Sequence, residues 1–141
     1  MTDWDARLIK LAQHVAQWSK DPSTKVGAVL VGRDRRSIAL GYNGFPPGIA
    51  DTPERLNDRE TKHHLVQHAE RNVIDNARFN PRGGPLYVTF FPCSECSKSI
   101  VSKGISRVVA PPPSENLPWS EDAIWTHMIL SEAGIELDES S

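Results

Sequence analysis

HAERNVIDNARFNPRGGPLYVTFFPCSECSKSIVSKGISRVVA, His68 to Ala110, passes twice from a helical to an extended pattern. Val66, Ala69, Val73 and Ala77 recur three or four residues apart, which predicts a helix over about His64–Arg78. PLYVTFF, Pro85 to Phe91, reads as a strand rich in aromatic and β-branched residues. A second helix is expected from about Ser94 to Lys103, ended by Gly104, a residue at ease in the left-handed C-cap conformation. Ser106 to Ala110 is again a short strand. Strands joined through helices run parallel, because the crossover needs a helix's length. The stretch therefore decides for an α/β fold.

Working outward, Trp4, Leu8, Leu11, Val15 and Trp18 predict an amphipathic helix from Trp4 to Trp18, with Thr2 as its N-cap. VGAVLV (Val26–Val31) and SIALGY (Ser37–Tyr42) flank the turn GRDRR and read as a hairpin buried on both faces. Asn43 to Lys62 is polar, holds Pro46, Pro47 and Pro53, and is expected to be a long loop. After a second loop, PPPSENLP, a last helix is predicted from Ser120 to Ala133, and IELDE closes the chain as an edge strand. The order αββαβαβαβ implies a mixed sheet with helices on both faces. Sites in such sheets gather at strand ends and helix N-termini.

The 141 residues suit one domain, residues 1–141, large enough to fold without disulfides. Sixteen basic and 18 acidic residues, a net charge of -2, argue against a chain built to grip a polyanion. No apolar run approaches the roughly 18 residues of a membrane span, and MTDWDARLIK carries no secretion signal. The two cysteines form one CxxC, which points to metal ligation or redox work in a reducing compartment, by default the cytoplasm.

The chemistry resides in His68-Ala69-Glu70 taken together with Pro92-Cys93-Ser94-Glu95-Cys96. Alone, an HAE is commonplace in helices and a CxxC is either a redox pair or half of a structural zinc site. Together they offer one imidazole and two thiolates, three ligands for a zinc ion with a fourth position left for water. Pro92 suits the entry to a helix, whose N-terminal N–H groups favour thiolates at Cys93 and Cys96. Glu70, two residues beyond the histidine, is placed to handle the protons of that water. His63 and His64 could complete a structural site in principle, but histidines in loops and at helix starts are more often solvated. The pattern H-x-E…P-C-x-x-C is the signature of zinc-dependent nucleobase deaminases.

Further matches extend the resemblance. Trp18-Ser19-Lys20-Asp21-Pro22 followed by Lys25-Val26-Gly27-Ala28, the loop Gly41-Tyr42-Asn43-Gly44-Phe45-Pro46, and Gly104-Ile105 stand in the order seen in the cytidine and deoxycytidylate deaminase superfamily. The chain resembles that superfamily over nearly its whole length, and most closely the deoxycytidylate deaminases. The resemblance implies a three-layer α/β/α sandwich around a five-stranded mixed sheet, and a homo-oligomer. It implies hydrolytic deamination of dCMP to dUMP, with a zinc-activated water attacking C4 and Glu70 as proton shuttle.

Carried onto matching positions, Asn43 is expected on the sugar or phosphate side of the substrate, although Asn-Gly is equally a turn signal. Ala69 and Ser94 are expected to offer backbone groups to the base, beside the metal. A monophosphate also needs a cation near the mouth. Lys25, Arg55, Arg59, Arg71 and Arg78 are candidates, with Lys25 preferred for its place next to the VGA strand. Trp119 is either a wall of the pocket or an anchor for the last helix.

Gly48-Ile49-Ala50-Asp51 lacks the cysteine that holds a second, structural zinc in many relatives, so one zinc per chain is expected. The strand ending in Ala110-Pro111-Pro112-Pro113 likewise lacks the aromatic that often follows it in the family. Alternative substrates for the same chemistry are a C5-modified dCMP, a free nucleoside, guanine or an RNA base. Against the last stands the near-neutral charge. A non-catalytic zinc or dithiol module is the competing class, and Glu70 argues against it, since neither needs a carboxylate at that spacing.

Overall fold

The computed structural model describes residues 1–140, which form a five-stranded sheet in the order β2-β1-β3-β4-β5. The strands are β1 (Gly27–Val31), β2 (Ile38–Tyr42), β3 (Pro85–Val88), β4 (Arg107–Ala110) and β5 (Glu136–Glu139). β1 is antiparallel to β2 and β3, whereas β3, β4 and β5 run parallel. The helices are α1 (Asp3–Ala16), α2 (Pro53–Asn57), α3 (Arg59–Leu65), α4 (Ala69–Asn76), α5 (Ser94–Ser102) and α6 (Trp119–Glu132). On one face of the sheet α1 packs Leu8 and Ala12 against Val29, Val31, Tyr87 and Val109. The opposite face carries Val73 of α4, Ile100 of α5 and Leu130 of α6 over Leu30, Leu86 and Val108. Three layers result, as the resemblance implied.

α1 opens on the expected Thr2 cap, and a capping box closes it, with Thr2 accepting from the Asp5 amide and Asp5 accepting from that of Thr2. Its buried face differs from the one expected. Asp5, Leu8, Ala12, Val15 and Ala16 face inward, while Trp4 and Trp18 stay 55% and 49% exposed. The cause is the close passage of β1. A Cβ on Gly27 would lie 2.1 Å from the Ala12 carbonyl oxygen, so only a small-residue face can dock there.

Three further expectations are corrected. β2 is an edge strand with alternating burial, and is not buried on both faces like β1. The stretch from Asn43 to Lys62 holds α2 and part of α3, neither of which buries a residue completely, so no apolar stripe marked them. The cue present was Thr52-Pro53, an N-cap followed by proline in the first turn. Finally, the helix expected over His64–Arg78 is interrupted. Gln67 leaves the helical path to exchange backbone hydrogen bonds with Gly44, at 2.8 and 3.1 Å, and α4 restarts after His68.

Candidate active site

That interruption makes His68 the N-cap residue of α4, in extended backbone and with its side chain uninvolved in capping. Glu70 follows in the first turn. On the neighbouring element, the chain leaves β3 after Val88 and passes through Pro92 into α5, whose N-cap is Cys93, and Cys96 lies one turn on. Two helix starts thus bring together the residues that sequence spacing paired. A nitrogen about 2.0–2.1 Å and a sulfur about 2.3 Å from one tetrahedral zinc stand roughly 3.5 Å apart. His68 Nδ1 lies 3.5 Å from Cys93 Sγ and 3.3 Å from Cys96 Sγ. The spacing fits one zinc ion, and the donor set is the soft nitrogen and sulfur mixture that zinc prefers.

The electrostatics prepare these ligands. Cys93 Sγ accepts from the Cys96 thiol and the Cys96 amide (3.4 Å), and these bonds with that from His68 pull its pKa down to about 4. Cys96 is pushed up, because it donates to Cys93 and is itself buried. One thiolate therefore forms readily, and the second proton leaves when a cation arrives. His68 is raised above its ordinary value by its hydrogen bond to Cys93, against the effect of burial. Glu70 is 5% exposed, and burial pushes its carboxyl up to about 7, with the charge of His68 opposing. A carboxyl that titrates near neutrality can both take and give a proton.

His68, Glu70 and Cys93 line a cavity of about 630 Å³. Ala69 and Asn43 also line it, as do Phe90, Phe91 and Trp119. Trp119 meets Phe90 edge-on at 5.4 Å between ring centres, so the tryptophan is at once a wall of the cavity and the first residue of α6. The Asn43 side chain is committed to backbone. Its Oδ1 accepts from the Val26 amide at 2.8 Å and its Nδ2 donates to the Thr24 carbonyl at 2.9 Å. Asn43 thereby shapes the loop before β1, whatever else it touches. The Ser94 amide donates to Asp122 at 2.8 Å and the Ser94 hydroxyl to the same carboxylate at 2.7 Å. Ser94 is thus turned toward α6 and does not line the cavity.

Lys25 is exposed and also lies outside the cavity lining, as do Arg55, Arg71 and Arg78. Arg55 donates to the Ala50 carbonyl and Arg71 pairs with Asp75. Of the arginine candidates, Arg59 lines the cavity, together with Lys62 and His63. Sequence reading passed over two more residues of consequence. Asp122 and Thr126, one turn apart on α6, hold the start of α5, the latter by donating to the Pro92 carbonyl at 2.9 Å. Neither stands out in a helix that also carries Ser120, Glu121, His127, Ser131 and Glu132.

Residues 2–111 match the family described as the cytidine and deoxycytidylate deaminase zinc-binding region. A deaminase of the luxG 3′ region of Aliivibrio fischeri is 37% identical over 139 residues, covering 97% of this chain and 93% of that protein. Human deoxycytidylate deaminase is 35% identical over 139 residues, covering 94% of this chain and 77% of its own. Among solved structures, the dCMP deaminase of cyanophage S-TIM5, in complex with dCMP and dUMP, superposes with a TM-score of 0.77 at 25% identity over 99% of each chain. The shared sheet, the zinc-spaced ligands and the buried glutamate have one common explanation: this chain belongs to the cytidine and deoxycytidylate deaminase family.

Proposed function

We propose that the protein hydrolyses the amino group of a deoxycytidine nucleotide, converting dCMP and water to dUMP and ammonia, with zinc held by His68, Cys93 and Cys96. The observation that carries this reading is the buried carboxyl of Glu70 beside the three ligands, inside a cavity of nucleotide size. Zinc bound there supplies Lewis acidity, which makes a water nucleophilic near neutral pH. Glu70 takes the proton that this water gives up as its oxygen bonds to C4, and delivers it to N3. The remaining hydroxyl proton then passes through Glu70 to the amino group, which leaves as ammonia while the C4 carbonyl forms. Glu70 ends as it began. Burial, which raises the Glu70 carboxyl above its ordinary value, suits a group that must both take and give a proton. Ala69 lies between the ligand and the shuttle on the cavity wall, where its backbone supports recognition of the pyrimidine edge.

The human relative and the phage structure are deoxycytidylate deaminases, which favours the nucleotide over the free nucleoside. A homo-oligomer is supported by Ile124, Trp125 and Met128, exposed apolar side chains on α6. A reducing compartment, with the cytoplasm as its default, is supported by two unpaired cysteines, and no helix among the described residues is long and apolar enough to cross a membrane.

Ammonia release from dCMP tests the reading. The purified protein is expected to deaminate dCMP. Glu70→Gln should retain zinc and lose about 10²- to 10⁴-fold in kcat. Zinc-loaded wild-type protein silent on dCMP refutes the assignment.

A further inference from the structure

The cations that line the cavity come from one short helix. Arg59, Lys62 and His63 of α3 are spaced i, i+3 and i+4, the spacing that puts side chains on one helical face, and all three line the cavity. Val66 continues the same stripe and leads to His68. At about 1.5 Å of rise per residue, Arg59 lies on the order of 10 Å along the axis from Val66. The positive end of the stripe is therefore set well away from the metal ligands. A nucleotide seated with its base at Glu70 has its sugar in between and its phosphate toward α3.

The two permanent cations differ in what already engages them. Lys62 Nζ pairs with Asp21 at 3.2 Å, and both groups are largely buried. Asp21 also accepts from the amides of Ser23 and Thr24, at 2.8 and 3.0 Å. Lys62 thus anchors the loop before β1 and keeps further donors of its ammonium free. Arg59 is exposed and forms no ion pair among the described residues. Two permanent positive charges against one carboxylate leave this wall with a surplus of positive charge. A guanidinium not already paired can meet a phosphate with two parallel hydrogen bonds.

We infer that Arg59, supported by Lys62, holds the 5′-phosphomonoester of the substrate and sets the preference for nucleotide over nucleoside. This inference rests on the deaminase reading above and assigns to α3 the role that the sequence suggested for Lys25. The contact is made equally in ground and transition states, so its loss falls on KM.

Ammonia release measured with dCMP and with deoxycytidine separates the possibilities, on zinc-loaded wild type, Arg59→Ala, Arg59→Lys and Lys25→Ala. Arg59 is at the surface, so its replacement keeps the fold. Arg59→Ala is expected to raise KM for dCMP by about 10- to 100-fold at similar kcat. The preference for dCMP over deoxycytidine should fall by the same factor. Arg59→Lys is expected to recover part of it, and Lys25→Ala to keep the wild-type preference. A dCMP preference that survives Arg59→Ala, or that is lost in Lys25→Ala instead, overturns the inference while leaving the deaminase reading intact. Wild type that releases ammonia from neither substrate overturns both.

Discussion

Cys93 and Cys96 illustrate how one turn of helix makes two like residues unlike. Cys93, as N-cap, receives hydrogen bonds and ionises early, whereas Cys96 gives one away inside the protein. Zinc needs both as thiolates and His68 neutral, so binding must expel at least the Cys96 proton near neutral pH. The sign follows directly. Protons compete with the metal, and the zinc Kd is expected to fall at least about tenfold for each unit rise in pH around 7, as read by competition with a chelator. A pH-independent Kd contradicts the ionisation pattern. Cys96→Ser should bring bound zinc, measured by atomic emission, from one per chain to a small fraction of that, and abolish ammonia release. Residual zinc near one per chain means that another group is the third ligand.

At the scale of elements, the site depends on how closely helices approach the sheet. Gly41 of β2 lies beneath α4, and a Cβ there would stand 2.4 Å from the Val73 amide nitrogen and 2.7 Å from its Cα. Both are backbone atoms, so relief requires α4 itself to move. Since α4 carries Glu70 and is preceded by His68, the displacement reaches the chemistry. Gly41→Ala is expected to cost about 1–3 kcal/mol in urea unfolding and to lower both kcat and zinc affinity. Unchanged stability and activity contradict this packing. Gly41, the first glycine of the GYNG motif, is thus needed for room between β2 and α4. Asn43, just past β2, ties the end of that strand to the loop before β1, which Lys62 fastens from the other side through Asp21.

Across the whole molecule, the ends of the chain meet through one buried charge. Asp5, in the first turn of α1, accepts from Arg107 of β4 at 2.8 and 3.1 Å and from the Tyr87 hydroxyl at 2.5 Å. Arg107 also donates to Asp138 of β5 at 2.7 Å. The bond to Arg107, with those to Tyr87 and Thr2, holds the Asp5 carboxyl well below its ordinary 3.8, against desolvation. The unfolded chain therefore binds the Asp5 proton more readily than the fold does. Its contribution to stability is complete above the ordinary carboxylate range and is lost as pH falls below about 4 toward the lowered value. Arg107→Met strands the aspartate and is expected to cost about 3 kcal/mol at pH 7 by chemical denaturation. Asp5→Asn should flatten the dependence of stability on pH below 4. An equally steep acid limb in that variant assigns the sensitivity to other carboxylates.

The chain alone determined what depends on neighbours in sequence. Thr2 capped α1, Gly104 adopted the left-handed φ of 71° after α5, and the strand-helix alternation from Pro85 onward set the parallel half of the sheet. His68, Glu70, Cys93 and Cys96 were legible because zinc chemistry demands rare residue types at fixed spacings, and those spacings survive any packing. Only the tertiary structure decided which faces were buried and which cations served the cavity. Trp4 and Trp18 match an apolar period, yet the passage of Gly27 favours the alanine face of α1. α3 buries nothing fully, so no periodicity announced it, and the bridge from Gln67 to Gly44 breaks a pattern that reads as continuous helix. Lys25 and Arg59 are both basic residues in unpatterned stretches. Only the fold shows that, of these two exposed side chains, Arg59 lies on the cavity wall and Lys25 outside it, because that depends on a docking between distant segments that no local preference encodes.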